Sequence, residues 1–372
     1  MSKYELTIST NYARSWTFTD AIRELFQNAI DQEVQEDNVM FFDYANDTLS
    51  IGNKSSVLSI RTLLLGETTK HGDDRTIGKF GEGYKIATLV LLRLGKSICF
   101  YNYGAKEVWR PRFVNSKRYD AKVLTFFVDK KHVWDKVPDN NLTIEVGGVS
   151  QEEYEEVYAS NLHLHDVYKK ADAMLVTRKG SVLLDERYKG KVFVNGLYVC
   201  THDKYMYGYD FKPAYIKIDR DRKLVSDWDL QWLSSEIWTD VEDDNELLVK
   251  LVREDAPDVR YIAKLLEWAF SSKRDTIRDT AYDKFKEEHG DKAIPVSTQD
   301  ELANTPAGYK PVLVADVYKG LVRASRKYEE PKIVEPVGPV QRLEDLLEAI
   351  RHKLTGDEVA VFEDALDELN KE

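Results

Sequence analysis

Glu24, Asn28 and Asp31 recur at steps of four and three along TDAIRELFQNAIDQ (residues 19–32), the spacing that stacks side chains on one face of a helix. A carboxylate, an amide and a second carboxylate so aligned are equipped to orient a water, to offer oxygen to Mg²⁺ and to hold one further hydrogen bond. A solvated polar face would use the same residue types, so these three decide nothing alone. The second stretch of interest is TIGKFGEGYKIATLVLLRL (76–94), where Gly78, Gly81 and Gly83 crowd into six positions and Lys85 precedes a long apolar run. Glycines let a backbone approach a ligand closely, and a loop that enters a helix N-terminus presents unpaired N–H groups to an anion. Phosphate is the ligand such a loop fits. Neither GxxxxGK[ST] nor GxGxxG is present, and glycine-rich turns before buried helices are common.

The elements that must position these residues are legible from periodicity. Ile22, Leu25, Phe26, Ala29 and Ile30 form one buried stripe of a helix. A helix over 84–94 is apolar nearly all round, which predicts burial on several sides, and Gly95 supplies its stop. VMFFDY and DTLSI read as strands around the break Ala45-Asn46-Asp47. SICFYNY, VWRPRFV, VLTFFVDK and NLTIEVGG alternate with turn residues, which predicts an antiparallel sheet. Ser150 to Glu153 is a capping box that opens a further helix.

At 372 residues, the chain has room for two or three domains with sizeable cores. Its net charge of −12 excludes bulk attraction to nucleic acid, so DNA contact would need a local basic patch. With only Cys99 and Cys200, no disulfide framework is expected. No leader-like start and no membrane-length apolar run is evident, so a soluble, cytoplasmic protein with no membrane contact is expected. His163, His165, His202 and Cys200 do not match a zinc spacing.

Taken together, E-L-x-x-N-A-x-D at Glu24 to Asp31 and, about fifty residues on, G-x-F-G-x-G-Y-K at Gly78 to Lys85 resemble two motifs of the GHKL ATPase superfamily, the group of gyrase B, MutL, the large heat-shock chaperone and the sensor histidine kinases. The resemblance covers about the first 150 residues. It implies an α+β fold, a Bergerat-type sandwich with helices on one face of a mostly antiparallel sheet, and slow Mg²⁺-dependent ATP hydrolysis that drives dimer closure. It also implies roles. Glu24 would activate water, Asn28 would hold Mg²⁺, and Asp31 would stand in the same nucleotide site. Gly78, Lys79, Phe80, Gly81, Glu82, Gly83 and Tyr84 would wrap the phosphates, with Lys85 either reaching phosphate or snorkelling from its helix. Thr69 and Lys70 resemble the family's lid residues, and Lys70 is the second catalytic candidate. Where the family has D-x-G-x-G, this chain has Ile51-Gly52-Asn53-Lys54-Ser55-Ser56. Asn53 stands nearest the adenine-reading Asp, with Asp47 a second candidate, and an amide can accept from adenine or flip and donate. Thr143 matches a threonine that meets the base through water.

A second domain is expected to follow. VFVNGLYV contains Asn195-Gly196, the strongest short hairpin signal, and resembles the first hairpin of the transducer domain of MutL and gyrase B. Lys217, Arg220, Arg222 and Lys223 are candidates to send a cation to the γ-phosphate, or else pair locally with Asp219 and Asp221. The expected organisation is an ATP-binding domain over 1–165, a transducer-like α/β domain over 175–245 and a mostly helical domain over 246–330. A Pro-rich linker over 331–340 and an acidic helical tail over 341–372 complete it. A homodimer working on DNA or on a protein client is implied. The rival expectation is a nucleotide-gated binding module with little or no hydrolysis.

Overall fold

Helix α1 (Phe18–Glu36) starts where Thr17 and Asp20 cap one another: Asp20 Oδ2 accepts from the Thr17 N–H at 2.9 Å, and Thr17 Oγ1 accepts from the Asp20 N–H at 3.2 Å. Its apolar stripe packs on a sheet of seven strands: β1 (Ser2–Ser9), β2 (Met40–Ala45), β3 (Thr48–Asn53), β4 (Ser97–Asn102), β5 (Glu107–Ser116), β6 (Ala121–Lys130) and β7 (Leu142–Gly147). Their order is β1-β6-β5-β4-β7-β3-β2, and every neighbouring pair is antiparallel. Alternate residues line the core face, among them Leu6 and Ile8, Leu49 and Ile51, Ile98 and Phe100, Leu124 and Phe126, and Ile144 and Val146. That is the period-two signature of a sheet with one face against helices. Helix α2 (Gly83–Arg93) joins α1 on this face, with Ile86, Leu89, Val90 and Leu91 all buried.

This computed structural model describes residues 1–36, 39–64, 83–131, 140–216, 226–242, 244–331 and 339–369. Two compact units emerge, Met1–Asp243 with Ala256–Ile262, and Asp244–Asp255 with Ala263–Glu372. The first unit holds both the seven-stranded sheet with its helices and a second α/β region. After α3 (Gln151–Ala159), opened by the Ser150–Glu153 capping box, comes a second sheet. Its strands are β8 (Met174–Val176), β9 (Gly180–Leu183), β10 (Lys191–Val194), β11 (Leu197–Thr201) and β12 (Gly208–Phe211), in the order β11-β10-β12-β9-β8. The β10–β11 connection is the Asn-Gly turn, with φ of 48° at Asn195 and 77° at Gly196, as a type I′ hairpin requires. Helix α4 (Asp227–Asp240) follows.

The second unit contains α5 (Asn245–Arg253), α6 (Ile262–Trp268), α7 (Ser271–His289) and a parallel strand pair, β13 (Ala293–Val296) and β14 (Lys310–Leu313). Between the strands lies α8 (Gln299–Ala303), and α9 (Asp316–Arg323) follows them. Two further helices, α10 (Pro339–Ile350) and α11 (Gly356–Leu369), end the described chain. The fold is thus mixed α and β, with a large antiparallel sheet and a helical C-terminal region. Among the described residues, no helix is long and apolar enough to cross a membrane.

Candidate functional site

The polar face of α1 is not solvated. Glu24, Gln27 and Asp31 are 2%, 1% and 0% exposed, although local periodicity places them opposite the apolar stripe. Carboxylates are rarely buried this far without compensating partners, so a second wall must cover this face. Helix α2 contributes to it. Its first residue, Gly83, lies so close to Glu24 that a Cβ built there would collide with Oε2, and it would stand 3.4 Å from Glu24 Cδ and 3.6 Å from Asn28 Nδ2. A larger residue at this position would have to push the Glu24 carboxylate aside. A carboxylate and an amide from α1 therefore converge on the opening turn of α2, where unpaired N–H groups and the helix dipole favour negative charge.

The Asn28 amide is oriented by its own helix, with Nδ2 donating to the Glu24 carbonyl at 2.9 Å. Asn53, buried at the end of β3, is oriented in the same way: Nδ2 donates to the Ala29 carbonyl at 3.0 Å. A carbonyl can only accept, so the nitrogen is fixed on α1 and the flipped alternative is excluded. Asp47 sits instead in the β2–β3 turn, at a φ of 57°.

Thr143 lies elsewhere. From β7 it pairs with Gly52 on β3 and Tyr101 on β4, and a Cβ built on Gly52 would lie 3.2 Å from Thr143 Oγ1 and 3.3 Å from the Phe41 ring. Ile51, Ile144 and Phe100 hold the alternate register positions in the core, so Thr143 is on the face of the sheet turned away from α1. The expected role beside Asn53 fails by one residue of register, because the side-chain period of a strand is two.

Lys85 is corrected as well. It is completely buried, and Nζ donates to the carbonyls of Thr62 at 2.8 Å and Leu64 at 2.5 Å. It does not snorkel to solvent. The ammonium ties α2 to the short 3-10 turn Ile60–Leu63. Tyr84 reinforces the tie, its hydroxyl 3.0 Å from Thr62 Oγ1, and burial pushes that hydroxyl well above the ordinary tyrosine value. Two residues that sequence reasoning passed over belong to the same framework. Asn102 clasps the chain beyond β3, accepting from the Leu58 N–H at 3.1 Å and donating to the Leu58 carbonyl at 2.8 Å. Arg93, at the far end of α2, donates to the carbonyls of Thr10, Tyr12, Ala13 and Trp16 at 3.4, 2.9, 2.8 and 3.5 Å. A single Asn at a strand end and a single Arg at a helix end carry no sequence signal.

Thr69, Lys70, Gly78, Lys79, Phe80, Gly81 and Glu82 lie outside the described residues, as do Lys217, Arg220, Arg222 and Lys223. The histidines are engaged elsewhere: His163 Nε2 is 2.9 Å from the Asn195 carbonyl, and His165 lies between the Tyr188 hydroxyl at 2.7 Å and the Tyr158 carbonyl at 2.6 Å.

The family comparison reaches a different part of the chain. Residues 154–243 match a family described as the Mycoplasma pneumoniae MPN635 N-terminal domain. An uncharacterized protein of Mycoplasma pneumoniae is 28% identical over 222 residues, which is 57% of this chain and 86% of that protein. The family match begins within α3 and runs past the end of α4, so it takes in the five-stranded sheet and leaves out the seven-stranded one.

Proposed function

We propose that this chain binds ATP with Mg²⁺ and hydrolyses it slowly, in the manner of the GHKL ATPases, in a Bergerat-type sandwich of α1, α2 and the seven-stranded sheet. The observation that carries the reading is the approach of Gly83 to Glu24 and Asn28. Gly83, from the second motif, meets Glu24 and Asn28, from the first, about fifty residues upstream.

The residues present suit the group. Gly83 lets Glu24 and Asn28 stand in close contact with a helix start suited to phosphate. Asn28 would offer Mg²⁺ an amide oxygen, the hard donor that ion prefers, and the bound ion would neutralise charge on the phosphates. The chain's own chemistry is then simple. Glu24, held in place by burial, takes a proton from the attacking water, a role that contributes about 10²- to 10⁴-fold. Asn53, with its nitrogen on Ala29, presents an acceptor of the polarity that an adenine amino group requires. Arg23, next to Glu24, donates to the Tyr198 carbonyl at 3.4 Å, which links α1 to the second sheet in a transducer-like arrangement. Closure of a homodimer around nucleotide, and work on a DNA or protein client, are extensions of the same proposal.

Isothermal titration with ATP and ADP, run beside a phosphate-release assay, tests the reading. Binding with slow release that Glu24→Gln abolishes supports it. Binding with no release makes the chain a nucleotide-gated module, and absence of binding at millimolar ATP removes the proposal. Size-exclusion chromatography with a non-hydrolysable analogue tests the dimer.

A further inference from the structure

The C-terminal helix pair has a core too small for its own needs. In α10, Leu343, Leu346, Leu347 and Ile350 fall at the three-and-four spacing of one stripe, and in α11 Val359, Phe362, Leu366 and Leu369 do the same. Of these eight, only Leu347 and Leu366 are buried, each 7% exposed. Leu343, Leu346, Phe362 and Leu369 are 36%, 50%, 39% and 47% exposed. Helices of 12 and 14 residues are marginal in water without tertiary packing. An apolar face left open on such a pair calls for a third element.

Charge selects the occupant. Residues 339–369 carry nine Asp and Glu against three Lys and Arg, a net charge of −6. A second copy of the hairpin would meet it with like charge. The remainder of the chain is also net acidic, since the whole carries −12. Anionic lipid is disfavoured for the same reason. A basic partner gains both from covering the stripes and from approaching nine carboxylates.

We propose that α10 and α11 form a docking site for a basic amphipathic helix of another protein, which lays its apolar face across Leu343, Leu346, Phe362 and Leu369 and completes a three-helix arrangement. The site is independent of the nucleotide reading and survives its failure.

The test uses the full-length chain and a synthetic peptide of about 18 residues, with leucines on one helical face and lysines on the other. A scrambled peptide of the same composition is the control. The ordered peptide is expected to bind, and binding should weaken as salt rises. The scrambled peptide and the Leu346→Ala/Phe362→Ala variant should each reduce affinity at least about tenfold. Hydrogen exchange in the full-length chain supplies a readout that does not depend on the variant: α10 and α11 should exchange fast alone and slow down with peptide. Slow exchange in the free chain would overturn the proposal, because the face would already be covered by the chain itself. Equal binding of the two peptides would overturn it by reducing the effect to charge. A dimer that Leu346→Ala/Phe362→Ala dissolves would assign the face to a second copy. Protection by phosphatidylglycerol vesicles without protection by peptide would assign it to lipid.

Discussion

The first unit buries carboxylates in two places, and they are surrounded differently. In the second sheet, Asp210 accepts from the Tyr168 hydroxyl at 2.6 Å and from the Gly196 N–H at 2.7 Å. Asp258 accepts from the Tyr209 hydroxyl at 2.6 Å and from the backbone N–H groups of Met206 and Tyr207. Burial pushes both carboxyls up, and these donors pull them back. Each is enclosed by donors of its own fold, which is how a buried charge stabilises a loop. Glu24 is as deeply buried, yet what stands against it is a glycine at the head of a helix. Burial alone does not separate a structural carboxylate from a working one. What packs against each does differ: hydroxyl and backbone donors hold Asp210 and Asp258, and the start of a second helix packs against Glu24.

The sharpest way to break this contrast is to remove each carboxylate and read a different quantity. Glu24→Gln should lower turnover by about 10²- to 10⁴-fold, or about 3 to 5 kcal/mol of barrier, with ATP affinity kept within about threefold. A turnover unchanged in phosphate release would place Glu24 with the structural carboxylates. Asp258→Ala should act on stability, since it strands the Tyr209 hydroxyl and two backbone N–H groups in the interior. A loss of about 3 kcal/mol or more is expected in urea melts, and a loss under 1 kcal/mol would show that those donors find other partners. Gly83→Ala should weaken ATP binding by at least about tenfold, because the new methyl displaces Glu24. Titration calorimetry reads this directly, and an undiminished affinity would remove the close approach from the mechanism.

On the second-sheet side, Gly196→Ala is expected to cost about 1 to 2 kcal/mol, since its φ of 77° is left-handed and the new Cβ would press on the His163 ring. The smallest effect is a pH dependence. Burial holds the His165 imidazole below its ordinary value, against the bond to Tyr158. The unfolded chain therefore takes up a proton near pH 6.5 that the folded chain refuses. Stability should fall as pH drops from about 6.5 towards the depressed folded value and should level off below it. In His165→Gln that part of the slope should vanish. A stability curve of the same steepness in the variant would assign the effect to other groups.

Much of the framework was legible because it follows local rules. Alternation marked β2 to β7 of the large sheet, Asn195-Gly196 marked the hairpin of the second sheet, and Ser150 with Glu153 marked the start of α3. The buried stripe of α1 was equally plain. What escaped depends on partners far along the chain. Glu24 looks solvated until the start of α2, more than fifty residues later, packs against it, and Asp31 is as fully buried. Thr143 could be placed in a strand but not on a face, since the face depends on register with β3. Lys85 sits where either a snorkelling lysine or a phosphate ligand would sit, and only the carbonyls of Thr62 and Leu64 decide otherwise. The orientation of Asn53 likewise rests on one carbonyl of α1.

Helix α2 is fastened at both ends, by Lys85 to Thr62 and Leu64 and by Arg93 to four carbonyls of the loop between β1 and α1. Eleven residues of α-helix span about 16 Å, and a span this short is stiff. Sliding it along its axis would drag the loop at residues 10–16 by a similar distance. The N-terminal segment is thus coupled mechanically to the residue that faces Glu24, and a fluorophore at Tyr12 would report displacement at Gly83 from the opposite end of the rod.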